Sequence, residues 1–371
     1  MLEVQKFLLS NTLSDLKEKY AINYRVGDIE SLVSLNYNQI ESPMGEKIVQ
    51  ECRQLILELD TWRVVSIALD KFFNYAEQKS PEFDWSSFKT YEKIDGSLIS
   101  FFHYNGQWYC ATRSVPGANT PVDETGMTFK DLVLLTLKDM GTSWEGLTSY
   151  MEPGYTYICE LTSEENRVVC QYNERKLTLL AIRSIHEPFF KENNLEIWEG
   201  YNQDFPLPLV TRYDGFSKEA ILAEVQERNP TEHEGYVLVD KNFNRVKIKS
   251  NAYCLMSYQR DGLGKSNRAR LELIFSDKVD DVIGLLPKFV QEKILSLQTA
   301  LNNLVQSINQ TYAEIKNIES QKGFAAEAIK YRYSAALFAL RGGRITDALE
   351  WLKRASVKSV LGWLQVDEEE E

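Results

Sequence analysis

Histidine is nearly missing from this chain: His103, His186 and His233 are the only three in 371 residues, and none stands in a partner pattern. Cysteine is little better represented, with Cys52, Cys110, Cys159, Cys170 and Cys254 scattered and no CxxC pair. Both shortages disfavour a zinc centre, and unpaired thiols suit an intracellular setting better than a disulfide-stapled one. Long apolar runs are lacking too. No stretch approaches the roughly 20 residues of a bilayer-spanning helix, and Met1 to Tyr20 alternates apolar with charged residues instead of forming a signal-peptide core. The sequence therefore predicts a soluble chain with no membrane partner. Positive charge is also in deficit: 42 basic against 54 acidic side chains leave a formal −12. Such a chain has no global attraction for nucleic acid, so any such binding must come from a local basic surface.

What the chain does have is core-forming material, 43% hydrophobic and 12% aromatic, enough to bury a sizeable interior. Val4 to Tyr20 reads as one amphipathic helix, with Phe7, Leu8, Leu13 and Leu16 on one face. From Asn23 to Ser250 the texture is mostly strand, broken by turns such as Pro153-Gly154 and Asn242 to Asn244 and by helical stretches near Thr128 to Met140 and Ser217 to Glu227. The clearest hairpin joins Ser97–His103 to Gln107–Arg113 through Asn105-Gly106, a pair that supplies the positive φ values a tight turn demands. Beyond Ser250 the period changes. Ile294, Leu297, Leu301, Leu304, Ile308 and Ile315 form a helix stripe. Ala325 to Leu340 and Thr346 to Leu364 read as further helices, divided by Gly342-Gly343, and Asp367 to Glu371 as an acidic tail. The expectation is an α+β body with antiparallel sheets over residues 1–255, then an all-helical domain over 256–371.

The sharpest local feature is Tyr91-Glu92-Lys93-Ile94-Asp95-Gly96-Ser97, just before a strand. A lysine beside a Gly-Ser turn can present its amine to a phosphate, and Asp95 can share its face if the backbone is extended. Covalent nucleotidyl transfer needs such an amine. Alone, the pattern could equally be a turn that closes a hairpin. Other elements point the same way. Glu234 opens the strand Gly235-Tyr236-Val237-Leu238-Val239, and period-two geometry puts Glu234, Tyr236 and Leu238 on one face. In Arg245-Val246-Lys247-Ile248-Lys249 the same geometry puts Lys247 and Lys249 together, a plausible clamp for a triphosphate and its metal. Lysines on an exposed edge strand would look the same.

Taken in order, Cys52-Arg53-Gln54, Lys71-Phe72-Phe73-Asn74, Lys93-Ile94-Asp95-Gly96-Ser97, Cys159-Glu160, Glu234-Gly235-Tyr236-Val237 and Lys247-Ile248-Lys249 resemble the covalent nucleotidyltransferases. More narrowly they resemble the RNA ligase 1 family of T-even bacteriophages, over roughly Asn36 to Ser250. The resemblance implies an ATP-dependent RNA ligase with a nucleotidyltransferase body. Lys93 would become AMP-modified. Glu234 would bind Mg²⁺ or Mn²⁺ or its waters, and Glu160 would sit by the metal or the ribose. Lys247 would contact the α-phosphate and ease proton loss from Lys93, with Lys249 beside it. Arg53 and Lys71 would hold the β- and γ-phosphates, and Glu92 and Arg113 would join the nucleotide contacts. The partner implied is RNA with 5′-phosphate and 3′-hydroxyl ends, tRNA among the candidates, met by a monomer in the cytoplasm, including that of a phage-infected host.

There are departures. Cys159 stands where related ligases often carry an aromatic, so adenine would stack on another side chain. Asp280-Asp281 resembles an acidic pair of some members, but exposed acids at a helix start look the same. Two rivals remain. A DNA ligase or capping guanylyltransferase would usually continue into a β-rich OB-fold, whereas residues 265 to 364 read as helix. A non-catalytic RNA-binding relative could grip RNA through Tyr331, Arg332, Tyr333, Arg341, Arg344, Lys353 and Arg354, but Lys93 and Glu234 are both retained.

Overall fold

The computed structural model describes the chain except residues 27, 39–40, 76–82, 123–125, 187–189, 194, 202, 261, 265, 277–278, 287, 346 and 369–371, and a few further side chains within helices. It divides into two compact units, Met1–Tyr253 and Cys254–Glu371.

The first unit is mixed α/β. Instead of one N-terminal helix there are two, α1 (Glu3–Leu8) and α2 (Leu13–Tyr20). The break has a local cause. Thr12 caps α2 by accepting from the Asp15 N–H, and Asp15 accepts in return from the Thr12 N–H, a reciprocal arrangement that starts a helix afresh. Among the described residues the strands form three sheets. One runs β1 (Ile22–Val26), β2 (Leu32–Tyr37), β3 (Leu55–Glu58) and β4 (Val64–Ile67), with α3 (Lys47–Glu51) between β2 and β3. Inward residues of this sheet, including Val33, Leu35 and Leu57, bury against Val4, Leu8 and Leu16 of the two helices.

The other two sheets carry the site. One is ordered β11-β6-β12-β13-β5: β11 (Arg212–Tyr213), β6 (Phe88–Lys93), β12 (Gly235–Asp240), β13 (Arg245–Lys249) and β5 (Phe73–Asn74). All its pairings are antiparallel except β13 with β5, which run parallel. The last sheet is β10 (Lys176–Ser184), β9 (Tyr155–Thr162), β7 (Ser97–Tyr104) and β8 (Gln107–Ala111), antiparallel throughout. Asn105 and Gly106 turn β7 into β8 at φ 47° and 78°, as their sequence demands. β8 ends at Ala111, so Arg113 sits in the loop beyond it. Helices α4 (Phe129–Asp139) and α5 (Trp144–Thr148) contribute Leu132, Val133, Leu137 and Leu147 to the core beneath this sheet. Two more, α6 (Leu195–Tyr201) and α7 (Lys218–Glu227), lie between strands of the chain.

The second unit is helical. The division falls within α8 (Asn251–Arg260), after which come α9 (Asn267–Ser276), α10 (Val279–Val282), α11 (Lys288–Ile315), α12 (Gln321–Ala328), α13 (Ser334–Arg341), α14 (Ala348–Arg354) and α15 (Val357–Leu364). The stripe from Ile294 to Ile315 is buried along α11. Ala325 to Leu340 is two helices, not one: the chain breaks near Tyr331 and Tyr333, whose rings stack at 5.4 Å while the Tyr333 hydroxyl meets Thr311 at 2.9 Å. Thr346 to Leu364 is likewise split into α14 and α15, with Trp351 stacked on Trp363 at 4.2 Å. Arg341 serves packing: it donates to the Ile318 and Glu319 carbonyls and lies over Phe324 at 4.3 Å. No helix among the described residues is long and apolar enough to cross a membrane.

Candidate active site

Lys93 is the last residue of β6 and Ser97 the first of β7, so the three residues between them carry the chain from one sheet into the other. That crossover is tight. A Cβ on Gly96 would lie 2.3 Å from the Leu161 carbonyl oxygen on β9, so only glycine lets the turn press against the strand that bears Glu160. A second glycine sets the opposite side. Gly235 pairs with Lys93 on one flank and with Lys249 on the other. Its φ is +154°, and a Cβ there would meet the Ile248 carbonyl at 2.0 Å.

That backbone overturns one sequence expectation. Glu234 does not share a face with Tyr236 and Leu238, which bury with Val246 and Ile248 in a separate cluster. Glu234 precedes the strand, and its Oε2 lies 2.7 Å from Lys93 Nζ while Oε1 lies 3.2 Å from Lys249 Nζ. Burial acts to raise this carboxyl, but the Lys93 and Lys249 ammonium groups outweigh it and hold Glu234 below the usual carboxylate value.

Asp95 also departs from the expected shared face with Lys93. It is buried, and its Oδ2 accepts from the Val169 and Cys170 N–H groups, each at 2.8 Å, while Oδ1 accepts from the Tyr253 hydroxyl at 2.8 Å. The Tyr253 ring in turn lies 5.7 Å from Lys249 Nζ.

Lys93, Glu92, Glu160 and Arg53 line one cavity of about 740 Å³, with apolar walls that include Leu98, Tyr91 and Val237. Glu160 projects from β9, where its carboxyl is pushed up to about 7, chiefly by burial; the neighbouring Lys93 charge opposes the rise and Glu234 adds to it. Arg53 lies over the Phe72 ring at 4.9 Å, and its Nη1 is buried with no hydrogen-bond partner among the described residues. Lys71 and Arg113 converge elsewhere, on Tyr37: Lys71 Nζ is 5.5 Å and the Arg113 guanidinium 5.0 Å from that ring. Asn36 accepts from Arg113 at 3.4 Å. Lys247 and Lys249 take the face of β13 opposite buried Val246 and Ile248, as period-two geometry predicts. Cys159 is fully buried in the core. Asp280 lies on α10 in the second unit, and the Asp281 side chain falls outside the described residues.

Sequence reasoning passed over Tyr253, Tyr37 and the anchoring role of Asp95. Only Asp95 carried a signal, as part of the Lys-Ile-Asp-Gly motif.

A family model described as RNA ligase matches residues 51–253, more than half of the chain and the stretch that holds Arg53, Lys93, Glu160, Glu234, Lys247 and Lys249. The chain belongs to the RNA ligase family. A putative bifunctional polynucleotide kinase/RNA ligase of Autographa californica nuclear polyhedrosis virus is 32% identical over 77% of this chain and 42% of its own length. An RNA ligase of Rhodothermus phage RM378 is 24% identical over 79% of this chain and 81% of its own. RNA ligase 1 of bacteriophage TS2126 is 27% identical over 64% of this chain and 58% of its own. The chain thus spans less than half of the baculovirus relative. Among solved structures, a Naegleria gruberi RNA ligase with PPi is 17% identical, covers 47% of this chain and 52% of that one, and has a TM-score of 0.37.

Proposed function

We propose that this member of the RNA ligase family is an ATP-dependent enzyme that joins RNA 5′-phosphate and 3′-hydroxyl ends by way of Lys93. The observation that carries the reading is the position of Lys93: it lines a cavity, its amine 2.7 Å from a buried carboxylate, and Arg53 lines the same cavity. Adenosine would lie among the apolar walls Leu98, Tyr91 and Val237, and the phosphates toward Arg53, whose buried Nη1 calls for an acceptor. Lys71 and Arg113 add cationic charge from their shared place over Tyr37.

In the first step the Lys93 ammonium releases a proton to solvent, and the free amine Nζ attacks the α-phosphorus, shedding a second proton to solvent as the phosphoramidate forms. A P–N bond forms, the bond to the bridging oxygen breaks, and pyrophosphate leaves. An RNA 5′-phosphate oxygen then attacks the lysyl-AMP phosphorus, freeing the amine and giving a 5′–5′ pyrophosphate. Last, a 3′-hydroxyl attacks the RNA phosphorus, its proton departs, and AMP is released. Positioning and cationic charge are what the protein supplies, because charge develops on phosphate oxygens. Before reaction Glu234 holds the Nζ proton in place through the ion pair.

A divalent cation fits these residues. Among the described residues no three His, Cys, Asp or Glu side chains gather as a ready-made cage, but Mg²⁺ is commonly held by one or two carboxylates together with substrate phosphates. Glu160 and Glu234, close enough to perturb one another, meet that need. When bound, the ion would screen the phosphates.

The helical second unit, in which α9 to α15 follow one another without a strand among the described residues, favours this reading over a DNA ligase or a capping enzyme. Incubation with α-labelled ATP and Mg²⁺ tests it. Wild type should take up covalent label and Lys93→Ala should not. Label on the variant would move the nucleophile elsewhere, label from GTP alone would favour capping, and no label on wild type would favour a non-catalytic relative.

A further inference from the structure

We infer that Phe243 and the basic cavity beside it form the seat for a single-stranded RNA nucleotide next to the end being joined. The inference rests on the RNA ligase reading and names where that enzyme would grip its polymer.

The turn between β12 and β13 is built to present an aromatic ring. Phe243 has φ +62°, a left-handed conformation costly for a bulky residue, yet its side chain is 40% exposed and so gains little from burial. The surroundings hold it there. Buried Asp240 accepts from the Asn242 N–H at 2.8 Å, the Asn244 N–H at 2.9 Å, the Asn244 amide at 3.0 Å and the Asp84 N–H at 3.1 Å. Arg245 donates to the Phe243 carbonyl at 3.1 Å. A turn braced this thoroughly fixes the backbone from which the exposed ring projects before any ligand arrives.

Phe243 stands on the rim shared by two cavities. One is the Lys93 cavity. The other, of about 440 Å³, is walled by Lys47, Lys71, Arg183, Lys191 and Arg245. Among the described residues its walls carry five cationic side chains and two carboxylates, Asp70 and Glu192, which pair with Lys47, Arg183 and Arg245, so cations outnumber acids there. In a chain of formal charge −12 that excess is a local exception. An exposed ring beside a basic hollow fits a base that stacks while its phosphates lie on the cations, the usual chemistry of single-strand binding. Phe72, Glu192, Phe243 and Arg245 line both cavities, so the second cavity adjoins the one that holds Lys93.

Full-length Phe243→Ala and Phe243→Trp can be compared with wild type by fluorescence anisotropy of a labelled, single-stranded, 5′-phosphorylated RNA and by the ATP dependence of self-adenylylation. We expect Phe243→Ala to weaken RNA binding roughly tenfold, the scale of one lost stacking contact, a larger change than any in the ATP KM. Phe243→Trp should restore RNA binding, which a merely structural role for the ring would not do. A raised ATP KM with unchanged RNA affinity would assign the ring to the nucleotide and overturn the inference, as would RNA affinity unchanged in both variants. Absence of self-adenylylation in wild type would instead defeat the underlying ligase reading, whatever the anisotropy shows.

Discussion

The Tyr253 hydroxyl donates to Asp95 Oδ1 at 2.8 Å, joining residues 158 positions apart and tying the first turn of α8 to the turn that follows Lys93. Burial and the nearby carboxylates of Glu234 and Asp95 push the Tyr253 phenol well above its ordinary value, so it stays a hydrogen-bond donor at any working pH. Its partner is acceptor for three donors at once. Asp95 thus fixes the Lys93 turn through contacts separate from the ion pair of the Lys93 amine with Glu234.

Two substitutions separate these bonds. Tyr253→Phe removes one donor to a charged acceptor and should cost about 1.5–3 kcal/mol. Asp95→Ala also strands the buried Val169 and Cys170 N–H groups and should cost more than Tyr253→Phe. Urea unfolding of both variants checks the order. The idea fails if Asp95→Ala is the milder change.

Gly235→Ala should be severe for a different reason. The added Cβ would be placed 2.0 Å from the Ile248 carbonyl at a φ of +154°, and relief requires β12 and β13 to move apart. Glu234 would leave Lys93 and Lys249 as they do. Self-adenylylation should fall by roughly a hundredfold or more, the scale of a misplaced catalytic group, and the melting temperature should drop. Normal adenylylation in this variant would show that the Glu234 contact is dispensable.

Much of the local geometry of the candidate site was legible because its residues sit in short motifs. Lys93-Ile94-Asp95-Gly96, the Glu234-Gly235 strand start and the alternation Arg245-Val246-Lys247-Ile248-Lys249 each announce local geometry. The fold class was legible from the change of hydrophobic period after Ser250. What escaped notice acts across distance: Val169, Cys170 and Tyr253 reach Asp95 from 74, 75 and 158 residues away, and no spacing rule predicts that. The face of Glu234 was misread because period-two alternation assumes regular strand geometry, and Gly235 breaks it. The N-terminal helix break was readable in principle, since Thr12-Leu13-Ser14-Asp15 is a capping sequence, but continuous amphipathicity masked it.

Glu51 gives the fold a pH dependence apart from the site. It is 4% exposed at the end of α3, and the Val4 N–H donates to its Oε2 at 3.2 Å. Burial pushes its carboxyl from an ordinary 4.5 up to about 7, a rise that the Val4 bond and Lys47 only partly offset. The native state therefore holds a proton that the unfolded chain has released between about pH 4.5 and 7, so this contribution to stability declines as pH rises through that window. Glu51→Gln should flatten the decline and make the variant more stable than wild type at pH 8, by on the order of 2 kcal/mol. Urea midpoints at pH 5 and pH 8 test this; parallel pH curves for the two proteins would refute it.

Arg53, proposed above to hold phosphate, tests that reading through stability. Its Nη1 is buried without a hydrogen-bond partner among the described residues, a condition that costs about 1–3 kcal/mol. A phosphate oxygen would relieve it. Arg53→Met keeps an unbranched side chain over Phe72 and removes the orphaned donor, so the ligand-free protein should melt at the same temperature as wild type or higher. The ATP KM for self-adenylylation should rise roughly ten- to a hundredfold, the scale of a lost charge-assisted bond. Arg53→Lys should recover little of it, because an ammonium lacks the planar fork that both stacks on a ring and donates sideways. ATP should also protect wild type against thermal unfolding more than it protects Arg53→Met. A variant that loses stability while its ATP KM stays unchanged would make Arg53 a packing residue and take the phosphates away from that side of the cavity.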